Sequence, residues 1–175
     1  AQRQRPDTMI RILIADDHTL FRRGLAGLLN ETDEFRVVGE AGSGPEAARL
    51  AAELRPDVIL LDVHMPGGGG VAAVRQLRET MPSLPVIMLT VSELDTDLVN
   101  AIQAGARGYL LKNVETGELF AALRRAASGQ AVLDPSLTDS LFRHVARVAP
   151  APATGTPLSA RETEILRLIA AGRTK

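Results

Sequence analysis

Residues 57–70 read DVILLDVHMPGGGG. Val58 to Leu61 form an unbroken apolar run, bounded by Pro56-Asp57 on one side and Asp62 on the other. A short apolar run between turn formers suits a strand covered on both faces, and such strands belong to parallel sheets flanked by helices. A second run of the same kind, VIML at 86–89, ends in Thr90. Working outward, β-type runs at Ile10–Ala15, Arg36–Glu40 and Gly108–Leu111 bring the predicted strands to five. Segments with helical spacing separate them: Leu20/Phe21, Gly24/Leu25 and Leu28/Leu29 in the first, Leu50 and Leu54 in the second, Leu119/Phe120 and Leu123 in the last. Ser43-Gly44-Pro45 places a proline in a first helical turn, and Pro56 closes the helix that follows. Repeated βα units of this length predict a doubly wound α/β fold with a five-stranded parallel sheet.

Composition narrows the chemistry. The 175 residues suffice for one well-cored domain and a smaller appendage. No cysteine is present, so disulfides, thiolate metal sites and cysteine nucleophiles are excluded. No apolar stretch approaches the roughly 18 residues of a membrane span, and no signal-type apolar core opens the chain, so a cytoplasmic location and no membrane partner are expected. Residues 9–128 carry 12 Lys and Arg against 16 Asp and Glu, whereas 129–175 carry 6 against 4. That asymmetry suits an acidic, cation-binding front and a weakly basic tail.

Ligands of open parallel sheets bind outside the carboxyl ends of the strands. Strand one ends in Asp16-Asp17, strand three in Asp62, strand four in Thr90 and strand five in Lys112. Each alone is an ordinary cap or solvated side chain, but convergence on one rim makes a site. Clustered carboxylates repel unless a cation lies between them, and an all-oxygen set points to Mg²⁺. Asp62 can then act as a carboxylate nucleophile toward a phosphoryl group, with Lys112 and Thr90 meeting its oxygens.

These residues resemble bacterial two-component response regulators of the NarL/FixJ type. The features carrying the likeness are ILIADDHTLFRRGL at the start, DVILLDVHMPGGGG around Asp62, Leu89-Thr90, and GARGYLLKN around Lys112-Asn113. The resemblance implies a flavodoxin-like receiver over 9–128 with strand order 2-1-3-4-5. It further implies that Asp17, Asp62 and the His64 backbone carbonyl hold Mg²⁺, supported by Asp16. Asp62 would take its phosphoryl group from a histidine kinase. Thr90 and Tyr109 would form the switch pair that reports phosphorylation to the face of helix four, strand five and helix five, and activation would bring two copies together as a homodimer.

Two features depart from the family pattern. Four glycines, Gly67–Gly70, follow Met65-Pro66; Gly70 stands at the turn position and the others loosen the loop. Asn113 replaces the proline that often follows the lysine, so no cis-proline turn is expected there. The His18 and His64 side chains receive no metal or acid–base role: His18 begins the first helix, and His64 points away or over the rim.

Residues 1–8 are polar and unpatterned, a disordered leader or cloning remnant. Residues 129–157 read as a linker: a helix opening at Asp134-Pro135 with a Leu137, Leu141, Val145 stripe, then a Pro/Ala-rich stretch. Ser159 to Glu162 form a capping box, and the helix behind it, with Ile165, Leu166 and Ile169 on its core face, resembles the start of a LuxR-type helix-turn-helix. DNA binding is therefore expected of a full-length protein but not of this 175-residue chain, because the second, groove-reading helix is absent from the sequence. The function expected is a transcription-controlling phosphorylation switch rather than an enzyme. A stand-alone receiver relaying phosphate without DNA is the alternative. A haloacid-dehalogenase-type hydrolase is disfavoured, because its Asp-x-Asp motif is replaced by adjacent acids on strand one.

Overall fold

The computed structural model describes residues 9–91, 95–138 and 141–143. Strands and helices alternate as predicted: β1 Ile10–Ala15, α1 Thr19–Asn30, β2 Phe35–Ala41, α2 Gly44–Leu54, β3 Val58–Asp62, α3 Gly69–Thr80, β4 Val86–Thr90, α4 Asp95–Ala104, β5 Gly108–Leu111 and α5 Thr116–Ala127. The sheet order is β2-β1-β3-β4-β5 with one further strand beside β5, and every pairing is parallel.

One expectation needs correction: among the described residues the sheet has six strands, not five. Val132–Leu133 form β6, pairing with Gly108 and Tyr109 of β5. Two residues are too few to display an alternating pattern, and what fixes them lies outside the strand. The buried Asp134 carboxylate accepts hydrogen bonds from the Leu111 backbone N–H, 3.4 Å, and from the Ser136 N–H, 3.0 Å, and hydroxyl, 2.7 Å. A 3₁₀ turn at Pro135–Leu137 replaces the regular helical start expected there, and Leu137 and Leu141 are buried as their spacing predicts. Val145, the leader, the Pro/Ala-rich stretch and the tail helix lie outside the described residues.

Alternation along each central strand divides the core in two. Ile12, Ile14, Val58, Leu60, Ile87 and Leu89 face α1 and α5, with Leu25, Leu29, Leu119 and Leu123. Leu13, Ala15, Ile59, Leu61, Val86 and Met88 face α2, α3 and α4, with Ala47, Val74, Leu77 and Leu98. Each large side chain buried this way contributes about 1.5–3 kcal/mol relative to exposure.

Helix ends orient the rim. Ser43 caps α2 by accepting from the Glu46 N–H, and Glu46 reaches back to the Gly42 N–H at 2.8 Å, with Pro45 in the first turn. Gly67, Gly68 and Gly69 take φ values of 84°, 97° and 78°, a turn that side-chain-bearing residues resist. It delivers Gly70 against the Asp62 backbone, where a Cβ would stand 2.0 Å from the Asp62 carbonyl oxygen.

Candidate functional site: an acidic pocket at the strand ends

The sheet ladder extends one residue past two strands and so aims their side chains. The Asp16 N–H donates to the Ala41 carbonyl beyond β1, 3.0 Å, and the Lys112 N–H donates to the Thr90 carbonyl beyond β5, 2.7 Å. Asp16, Asp62 and Thr90 are almost fully buried at the same rim.

Lys112 closes this pocket. Its Nζ lies 2.6 Å from Asp16 Oδ2 and 3.0 Å from Asp62 Oδ2, oxygens with no other hydrogen-bond donor among the described residues. The Phe21 ring of α1 sits against the same ammonium, centroid 4.8 Å away. Beside them, an apolar cleft of about 270 Å³ runs between Phe21, Leu25 and Leu28 of α1 and Leu119 of α5. Burial raises the Asp62 carboxyl above its ordinary value; Asp16 adds to the rise, and the Lys112 bond and the His64 N–H oppose it. Burial pulls the Lys112 ammonium down, but its bonds to Asp16 and Asp62 outweigh that and leave it above its ordinary value.

The structure also brings in a residue to which the sequence reading gave no role at the site. His18 stands before α1 without capping it through its side chain. Its Nδ1 lies 3.1 Å from Asp16 Oδ1, 3.0 Å from Asp17 Oδ1 and 3.9 Å from Asp62 Oδ2. Asp16, Asp17, His18 and Asp62 each offer a ligand atom within 4.8 Å of the others. The Asp16 carboxylate thus presents one oxygen to His18 and the other to Lys112. The Arg22 guanidinium holds the same turn, bonding the Asp16 carbonyl and, at 3.0 Å, Glu40. Three carboxylates converging from two strand ends, two of them buried, are a donor set that fits a hard divalent cation.

His64 follows β3, and its N–H donates to Asp62 Oδ1 at 3.4 Å. Its exposed ring leaves the pocket, with Nε2 3.3 Å from Asp97 Oδ2 on α4. Tyr109 of β5 is buried between the sheet and α4. Among the described residues its hydroxyl finds no well-formed hydrogen bond. Burial pushes its phenol up to about 12, the adjoining Thr90 side chain opposing the rise and the Asp97 and Asp62 charges adding to it.

Five of the rim residues, Asp16, Asp17, Asp62, Thr90 and Lys112, were found from sequence because each ends or directly follows a strand. His18 had a faint signal, adjacency to two acids; Phe21 and Asp97 had none, since their contacts depend on how α1 and α4 are rotated.

Residues 12–124 match the response regulator receiver domain family. The chain is 42% identical over 133 residues to the response regulator GacA of Pseudomonas viridiflava, covering 76% of this chain and 62% of that protein. It is 41% identical over 162 residues to the nitrate/nitrite response regulator protein NarL of Escherichia coli K12, covering 92% and 75%. The chain thus spans between 62% and 75% of the length of these two relatives. A solved LuxR-family two-component response regulator from Aurantimonas sp. SI85-9A1 superposes with a TM-score of 0.74 at 29% identity, covering 79% of this chain and 99% of that one. An acidic pocket at the rim of a parallel sheet, in a chain with these relatives, identifies a member of the two-component response regulators, in their NarL-type branch.

Proposed function

We propose that Asp62 is the phosphoacceptor of this response regulator, that the reaction depends on Mg²⁺, and that the donor is the phosphohistidine of a sensor histidine kinase. The observation that carries this reading is the buried Asp62 carboxylate, 3.0 Å from the Lys112 ammonium and grouped with Asp16 and Asp17. An Asp62 oxygen attacks phosphorus, the P–N bond to the kinase imidazole breaks, and the imidazole leaves with its electron pair and takes a proton from solvent. Lys112 is placed to follow the transferred oxygens, releasing Asp62 while keeping Asp16. Thr90 supplies a hydroxyl and Tyr109 senses the change beside it. Asp17, Asp62 and the His64 carbonyl, supported by Asp16, would hold the ion, which supplies positive charge against the phosphoryl oxygens when bound. The domain therefore works as a switch rather than a turnover catalyst. In the whole protein the switched element is a C-terminal DNA-binding segment that controls transcription, with a homodimer as the active form.

Incubating the chain with acetyl phosphate and Mg²⁺ and measuring intact mass tests the central step. One phosphoryl increment is expected, lost in Asp62→Asn and in excess chelator. A full increment in either control overturns the assignment.

A further inference from the structure

We propose that the His18 imidazole is a further ligand group of the acidic pocket, so that nitrogen-preferring divalent ions such as Co²⁺ and Ni²⁺ bind there through it. The proposal rests on the reading of Asp16, Asp17 and Asp62 as the cation site.

A single ring nitrogen carries at most one hydrogen. Yet Nδ1 of His18 approaches oxygens of three carboxylates, at 3.0, 3.1 and 3.9 Å. The Asp62 oxygen at 3.9 Å lies beyond hydrogen-bond reach, and one N–H would have to be shared between Asp16 and Asp17, whereas one bound ion would meet Nδ1 and both carboxylates at once. Ligand atoms bonded at roughly 2.1 Å to one octahedral ion stand about 3.0 Å apart when adjacent. The Nδ1 spacings to Asp16 and Asp17 have that size. The backbone fixes the approach: the His18 N–H donates to Asp16 Oδ1 at 2.8 Å, tying the ring-bearing residue to the buried carboxylate. The ring is also well exposed, so an ion and its remaining waters reach it from solvent.

Chemistry then sets the preference. Carboxylates and carbonyls suit Mg²⁺, whereas imidazole suits Co²⁺, Ni²⁺ and Zn²⁺. Carboxylates alone already bind Ni²⁺ more tightly than Mg²⁺, so the specific content is the part of that preference that disappears with His18. A phosphorylation site of this kind would answer to the transition-metal content of its surroundings as well as to a kinase, because one pocket serves both.

The test titrates Mg²⁺ and Co²⁺ separately into the full chain by calorimetry and records the visible absorption of the bound Co²⁺. His18→Ala is expected to weaken Co²⁺ binding at least ~10-fold, the scale of loss seen on disturbing metal-site residues, and to weaken Mg²⁺ binding far less. The Co²⁺ spectrum should move toward that of an all-oxygen site. His18→Asn keeps a side-chain donor for the carboxylates without the imidazole nitrogen, and should behave as His18→Ala does. Equal losses for both ions, no loss for either, or recovery of Co²⁺ affinity in His18→Asn would each overturn the proposal. Asp62→Asn separates the layers: if neither ion loses affinity there, the pocket itself has been misassigned, whatever His18 does.

Discussion

At the residue scale the pocket is an electrostatic conflict held in check. Two unit charges 4 Å apart interact by about 4 kcal/mol at an effective dielectric near 20, so Asp16 and Asp62 at one buried rim need Lys112 between them. The upward shift of the Asp62 carboxyl shows that burial still leaves a residual cost. Thr90 has a different part in the proposed switch: its hydroxyl would meet the phosphoryl group, and its side chain adjoins Tyr109. Thr90→Ala is therefore expected to leave Asp62 open to modification by acetyl phosphate and to weaken the conformational response. Backbone amide spectra with and without beryllofluoride check this; equal shifts along α4 in both proteins would refute it. The residues legible in the sequence were those on strand ends, where a period of two and a rim fix position. The Phe21–Lys112 contact was not legible, since a helical residue's reach depends on the rotation of the whole helix against the sheet.

At the scale of elements, the parallel sheet was readable because apolar runs such as Val58–Leu61, repeated between segments of helical spacing, suit strands covered by helices on both faces. β6 was not readable, since a side chain beyond its end, Asp134, anchors the segment that carries it. The glycines separate the two kinds of information. Gly70, the second residue of α3, lies against the backbone of Asp62, whereas Gly24 lies exposed within α1 with nothing within 4 Å of an added Cβ. The same substitution should have opposite signs. Gly70→Ala is expected to destabilise by about 1–3 kcal/mol through overpacking and to slow phosphorylation by displacing Asp62. Gly24→Ala should stabilise by roughly 0.5–1 kcal/mol by restricting the unfolded chain in a helical position. Urea unfolding midpoints of the two variants measure both.

At the scale of the whole molecule, alkaline pH should expose the burial of the switch. The Tyr109 phenol is pushed up to about 12 in the folded protein from an ordinary value of 10.0. As pH rises through about 10 the unfolded chain loses this proton first and the folded chain only near 12, so the folded state binds more protons in that window. Stability is then full below about pH 10 and falls above it, by on the order of 2 kcal/mol. Lys112, also raised, adds a loss of the same sign. Tyr109→Phe should flatten the decline, and unfolding midpoints across that range would show it; an unchanged slope would mean that the phenol does not govern it.

The sequence contains one tyrosine and no tryptophan. Near-ultraviolet emission from the unlabelled protein therefore comes almost entirely from one ring, buried between β5 and α4 beside Thr90. Quenching, lifetime and anisotropy of that light can be followed in real time as a phosphoryl donor is mixed in, with no dye attached and no residue replaced.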